Sequence, residues 1–90
     1  MPYILIPHQI SKIANLPKEI FVSGDTIASA IDHLIDQYPI IEKYIFIDSE
    51  IIHPFLAIFI GKNNIMDLQG LSTKLEVEQV VTMLYNISGG

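Results

Sequence analysis

The chain has 90 residues, half of them apolar, with ten acidic side chains against five basic ones and a net charge of −5 at neutral pH. That length suits a single domain, 1–90, able to bury about two-thirds of its unfolded surface. All five basic residues are lysines, a balance that argues against nucleic acid and against an anionic membrane as partners, because both need a dense basic face. The mean hydropathy of +0.42 is too high for a disordered chain. The longest wholly apolar run, Phe55–Ile60, is far too short to span a bilayer. Met1-Pro2-Tyr3 lacks the basic start of a signal peptide, so a cytoplasmic location is expected. Cysteine is absent, which removes disulfides, thiol nucleophiles and cysteine metal sites.

Eighteen isoleucines bias the chain toward strands. In chain order, Tyr3–Ile6 reads as a short strand stopped by Pro7, and residues 8–17 as a connection. Lys18–Val22 is a second strand with Ile20 and Val22 on one face, so the two form a hairpin with a loose loop. Ser23-Gly24-Asp25-Thr26 is a turn that opens a helix running to Gln37, with Asp25 or Thr26 as its cap. Ile27, Ile31, Leu34, Ile35 and Tyr38 form one stripe at the 3.6 period, opposite Ser29, Asp32, His33 and Asp36. Pro39 ends that helix.

Residues 40–54 begin with a short helical turn and continue as an ordered loop packed on the core. Phe55–Ile60 is the clearest strand, and Gly61-Lys62-Asn63-Asn64 supplies turn residues after it. Ile65–Leu68 reads as a short edge strand, Gly70–Leu75 as a connection with one 3₁₀ turn, and Gln79–Tyr85 as the last strand. Residues 86–90 are expected to leave the sheet as a flexible tail. The order β-β-α-β-β-β implies an α+β fold in which one amphipathic helix covers one face of a mixed five-stranded sheet.

Catalytic and metal constellations are sparse. His8, His33 and His53 are scattered, where a metal site needs ligands at close spacing. Asp32 and Asp36 share a helix face one turn apart, but on an exposed face such a pair reads as solvated surface. No phosphate-binding glycine loop and no nucleophile–base order is present. The expectation is a protein that is not an enzyme, with no bound metal or cofactor.

Ser88-Gly89-Gly90 is different. With glycine at about 7% of residues, a pair at a chosen site arises by chance about once in 200, which invites a functional reading. Two residues without Cβ atoms can thread a narrow channel in a partner and leave a terminal carboxylate sterically open. That suits a carboxylate that must itself react, first at the α-phosphate of ATP and then with a nucleophile.

Topology and tail together resemble the ubiquitin-like β-grasp sulfur carriers: the small subunit of molybdopterin synthase, the thiamine-biosynthesis carrier and the carrier for cysteine synthesis. The resemblance spans nearly the whole chain. It rests on Ser23-Gly24-Asp25-Thr26, on Phe55 through Asn63, and on Gly89-Gly90. Pro7-His8 and the long 40–54 segment look most like the cysteine-synthesis type. Two departures weaken assignment to the molybdopterin and thiamine branches: Glu76-Val77-Glu78-Gln79 stands where the family has an Asp-Gly turn, and Tyr85 where it has proline.

The resemblance implies that the first and last strands are parallel neighbours in the sheet centre. It implies that Gly90 is adenylated by an ATP-dependent, ubiquitin-activating-like adenylyltransferase and converted to a thiocarboxylate. Ser88 and Gly89 then thread the partner's active site, and a client enzyme accepts the sulfur. Strand alternation directs Phe59 and Leu84 outward as a partner interface on the sheet's open face. Competing readings are the molybdopterin synthase small subunit, a non-covalent β-grasp adaptor, and a ubiquitin-like protein conjugated through Gly90.

Overall fold

Alternation of apolar residues builds the sheet in the computed structural model, which describes residues 1–85. Strand β1 (Tyr3–Leu5) buries Ile4 completely between half-buried Tyr3 and Leu5. Strand β2 (Glu19–Phe21) buries Ile20 and exposes both neighbours. In β5 (Leu56–Ile60) Leu56, Ile58 and Ile60 point inward, and in β7 (Val80–Tyr85) Val81 and Met83 do. The five-stranded sheet has the order β2-β1-β7-β5-β6, with β6 at Asn63–Asn64. The central pair β1 and β7 is parallel, Ile4 facing Val81, and every other pair is antiparallel. The first and last strands are therefore central parallel neighbours, as expected.

Helix α2 (Ile27–Gln37) lays its stripe on the inner face of this sheet, burying Ile27, Ala30, Ile31 and Leu34 in one cluster with Ile4, Ile20, Val22, Ile58, Val81 and Met83. Its start is fixed by a reciprocal capping box. The Ser29 N–H donates to Thr26 Oγ1, and the Thr26 N–H donates to Ser29 Oγ, each at 3.1 Å. Tyr38 and Ile35 complete the stripe as half-buried side chains.

Three segments differ from expectation. Residues 8–17 are not a plain connection: α1 (His8–Ala14) forms there and turns Ile10 into the core. Only one of its seven residues is buried, so no apolar period marks it. It closes on Asn15 at φ 56°, a left-handed cap that asparagine tolerates. Residues 40–54 are more regular than a loop. They comprise a 3₁₀ turn at Pro39–Ile41, α3 (Glu42–Ile45), and a hairpin of β3 (Phe46–Asp48) with β4 (Ile51–Ile52). The segment does pack on the core, through fully buried Ile41 and Ile45. Ile65–Leu68 is not an edge strand. Asn64 Oδ1 accepts from the Met66 N–H at 2.9 Å and starts a 3₁₀ turn at Ile65–Asp67, leaving Asn63–Asn64 as the edge. The 3₁₀ turn expected within Gly70–Leu75 is present at Gly70–Ser72.

Candidate functional site

Strand β7 sits at the centre of the sheet, paired on both sides, and carries the chain to Tyr85. Ser88, Gly89 and Gly90, together with the rest of residues 86–90, lie outside the described residues. The end of β7 is thus the point from which the C-terminal segment starts. The turn before β7, where the family's Asp-Gly would stand, closes through Gln79 N–H to Glu76 O at 3.2 Å and Glu76 N–H to Gln79 Oε1 at 2.7 Å. A different residue pair thus makes a hydrogen-bonded entry into the same strand.

The face of the sheet away from α2 is apolar. Pairing puts Thr82 between Phe59 and Leu5, Ala57 opposite Leu84, and Tyr3 between Val80 and Phe21. Phe59 is half-buried, and Leu84 is 52% exposed beside Ala57 at the end of β7. Phe21, 58% exposed, stacks at a tilt on Tyr3 with ring centroids 5.5 Å apart. Phe59 and Leu84 therefore share one open surface, which Phe21 and Tyr3 extend toward the β2 edge. Sequence alternation pointed to the first two; the others required the strand order.

Opposite Leu84, on the inner side of the strand end, lies a ring cluster that sequence reasoning missed. Tyr85 is paired with Leu56 and points toward the core side. The His53 ring lies 5.4 Å from the Tyr85 ring and 5.4 Å from the Phe55 ring. His53 Nδ1 accepts from the Phe55 N–H at 3.2 Å. The His53 N–H donates to Ile45 O at 2.7 Å, and the His53 carbonyl accepts from the Leu56 N–H at 2.9 Å. Burial, with a smaller effect of Tyr44, raises the Tyr85 phenol above its ordinary value of 10.0. Because His53 is 32 residues from Tyr85, no local pattern could have joined them.

The remaining candidates stay apart. His8 is exposed at the start of α1, and His33 Nδ1 accepts from the Ser23 N–H at 2.7 Å in a local turn contact. Asp32 and Asp36 are exposed on the outer face of α2. Among the described residues no three histidine, aspartate or glutamate side chains gather as a metal site would need. No helix among them is long and apolar enough to cross a membrane. A shallow apolar groove of about 500 Å³ runs between the β3–β4 hairpin and the 3₁₀ turns, lined by Ile51, Ile52, Pro54, Met66 and Leu71.

A mixed sheet of order β2-β1-β7-β5-β6 with a helix across one face is the ubiquitin-like β-grasp fold. Comparison with solved structures agrees. The chain is similar to CysO from Mycobacterium tuberculosis, with TM-score 0.83 and 25% identity over 97% of this chain and 100% of that one. It is similar to the small archaeal modifier protein 1 (SAMP1) of Methanosarcina acetivorans, with TM-score 0.84 and 26% identity over 99% of this chain and 95% of that one. In the BexX/CysO complex of Amycolatopsis orientalis, one chain matches the fold with TM-score 0.87 and 19% identity, both chains covered completely. The resemblance to the ubiquitin-like β-grasp carriers, with CysO among the neighbours, is thus present in the structure. No family model matches the sequence, and no curated protein does.

Proposed function

We propose that this protein is a ubiquitin-like sulfur carrier whose reactive group is the carboxylate of Gly90. The observation that carries the reading is a diglycine that begins four residues beyond the central strand of a β-grasp sheet. Similarity to CysO and to a CysO found in complex with BexX supports a carrier that works against a partner protein.

In the proposed cycle a carboxylate oxygen of Gly90 attacks the α-phosphorus of ATP. The acyl–oxygen–phosphorus bond forms, the bond to the β-phosphate breaks and pyrophosphate leaves. The mixed anhydride makes the carbonyl electrophilic, and a sulfide-equivalent donor displaces AMP to leave a thiocarboxylate. The adenylyltransferase supplies the catalysis, and this chain is the co-substrate. Ser88 and Gly89 occupy the narrow approach to that site. Phe59 and Leu84 dock the open face on the enzyme. A sulfur-accepting client, of which cysteine synthesis is one setting, then takes the sulfur as a nucleophile. ATP-dependent chemistry of this kind fits the cytoplasm.

Similarity to SAMP1, named as a modifier protein, favours one second reading: conjugation through the same activated Gly90. Intact mass of the protein isolated from cells separates the two. A product with one terminal oxygen replaced by sulfur supports the carrier, and higher-mass conjugates support the modifier. Deleting Gly90 is expected to abolish adenylation. The chain advances about 3.3–3.6 Å per extended residue, and misplacement by about 1 Å can cost on the order of a hundredfold in rate. Loading of that variant at the wild-type rate overturns the proposal.

A further inference from the structure

The geometry points to His53 and Tyr85 as positioning residues that hold the root of the reactive C-terminal segment from the side opposite the docking face. This rests on the sulfur-carrier reading and deepens it. Neighbouring residues on β7 have opposite duties: Leu84 faces the open surface and Tyr85 faces inward. A partner seated on the open face meets Leu84 and leaves the Tyr85 ring where it is.

That ring is held by the protein itself. His53 packs against it at a tilt of 41°, and the His53 backbone is bonded on one side to the end of α3 and on the other to the first residue of β5. The Phe55 N–H at Nδ1 fixes the plane of the His53 ring. A longer contact, Gln9 Nε2 to the Tyr85 carbonyl at 3.4 Å, adds a tie from α1. The segment 40–54 thereby acquires a role: it carries His53 to the end of a strand that its own hairpin does not join.

Gly90 follows Tyr85 by only five chain steps, a reach of at most about 18 Å. Freedom at Tyr85 is freedom at the point from which that segment starts. Anchoring the root concentrates the carboxylate near a productive position once the open face is docked. Its loss therefore lowers the rate of the bound complex rather than the affinity.

The test uses His53→Asn, Tyr85→Ala and Tyr85→Phe in the full chain. Asparagine keeps an oxygen able to accept the Phe55 N–H in an Asx turn and removes only the ring packed against Tyr85. In the free protein, His53→Asn is expected to speed amide exchange at Leu84 and Tyr85 about tenfold with the thermal midpoint nearly unchanged. Unchanged exchange overturns the anchor without touching the carrier reading. With an adenylyltransferase shown to bind this protein, and ATP, His53→Asn and Tyr85→Ala are expected to lower kcat for acyl-adenylate formation about tenfold or more. KM should hold within about twofold, and Tyr85→Phe should restore wild-type kcat. Wild-type kcat in His53→Asn, or a loss found only in KM, overturns the positioning role even if Tyr85→Ala fails to fold. Failure of the wild type to form the adenylate overturns the carrier reading and the positioning role together.

Discussion

Gly24 shows how one missing Cβ fixes the entry to the main helix. Its φ is +148°, and a Cβ built there would lie 2.6 Å from Ser29 Oγ and 2.7 Å from the Ala30 nitrogen. Both atoms belong to the first turn of α2, and Ser29 Oγ is half of the capping box. Gly24→Ala is expected to destabilise the fold by about 1–3 kcal/mol through strain and a disturbed cap, read from urea unfolding. Tyr85 gives a second residue-scale prediction. Its folded-state value is raised above 10.0 by burial first and Tyr44 second, so the folded state keeps the phenol proton that the unfolded chain releases. Its contribution is fully present below the unfolded value and is lost as pH rises through the folded one. Tyr85→Phe should make stability fall less steeply between those two values than in the wild type. Parallel declines in the two proteins would show that Tyr85 carries none of the effect.

At the scale of elements, α2 was legible because three properties coincide: a capping sequence, an apolar stripe and a closing proline. Leu34 lies at the centre of that stripe and is fully buried. Leu34→Ala should cost about 2–5 kcal/mol, the range for a truncated buried leucine, and a loss below about 0.5 kcal/mol would remove the stripe from the core. Helix α1 and the β3–β4 hairpin were not legible. The first buries one residue of seven, and the second turns at Glu50 with φ 62°, a conformation glutamate rarely adopts and so does not announce. Ile65–Leu68 carried strand-like composition, but the Asn64 side chain captured the Met66 N–H and wound the chain instead. A single local hydrogen bond outweighed a weak β preference there.

For the molecule as a whole, the sheet separates two surfaces. The inner face is consumed by α2 and the core, while the outer face leaves Leu84, Phe59, Tyr3 and Phe21 available to a partner. A contiguous apolar surface of this kind is the one proposed to dock the partner. Leu84→Asp is expected to weaken binding to the adenylyltransferase at least about tenfold, the effect of truncating a binding anchor, with the thermal midpoint nearly unchanged because Leu84 is half exposed. Phe59→Asp should do the same with a larger stability loss, since Phe59 is half-buried between β7 and the β6 edge. Binding of Leu84→Asp at wild-type affinity, measured by calorimetry, would remove the open face from the interface.

Periodicity and turn chemistry in the sequence determined the strands at residues 3–6, 18–22, 55–60 and 79–85, the helix ending at Gln37, and the inward or outward direction of Leu56–Ile60 and Val81–Leu84. Those properties depend on neighbours within a few positions, where sterics and hydrogen bonding are local. The order of letters also placed Gly89-Gly90 beyond the last strand. The resemblance anticipated the parallel pairing of Tyr3–Leu5 with Val80–Thr82, a contact across more than 70 residues that no local pattern could supply. Only the tertiary structure decided that Phe21 and Tyr3 join Phe59 and Leu84 on one face, because strand order is set by which apolar surfaces bury each other best. Only it brought His53 to Tyr85, since that contact depends on how the 3₁₀ turn and α3 pack Ile41 and Ile45 into the core.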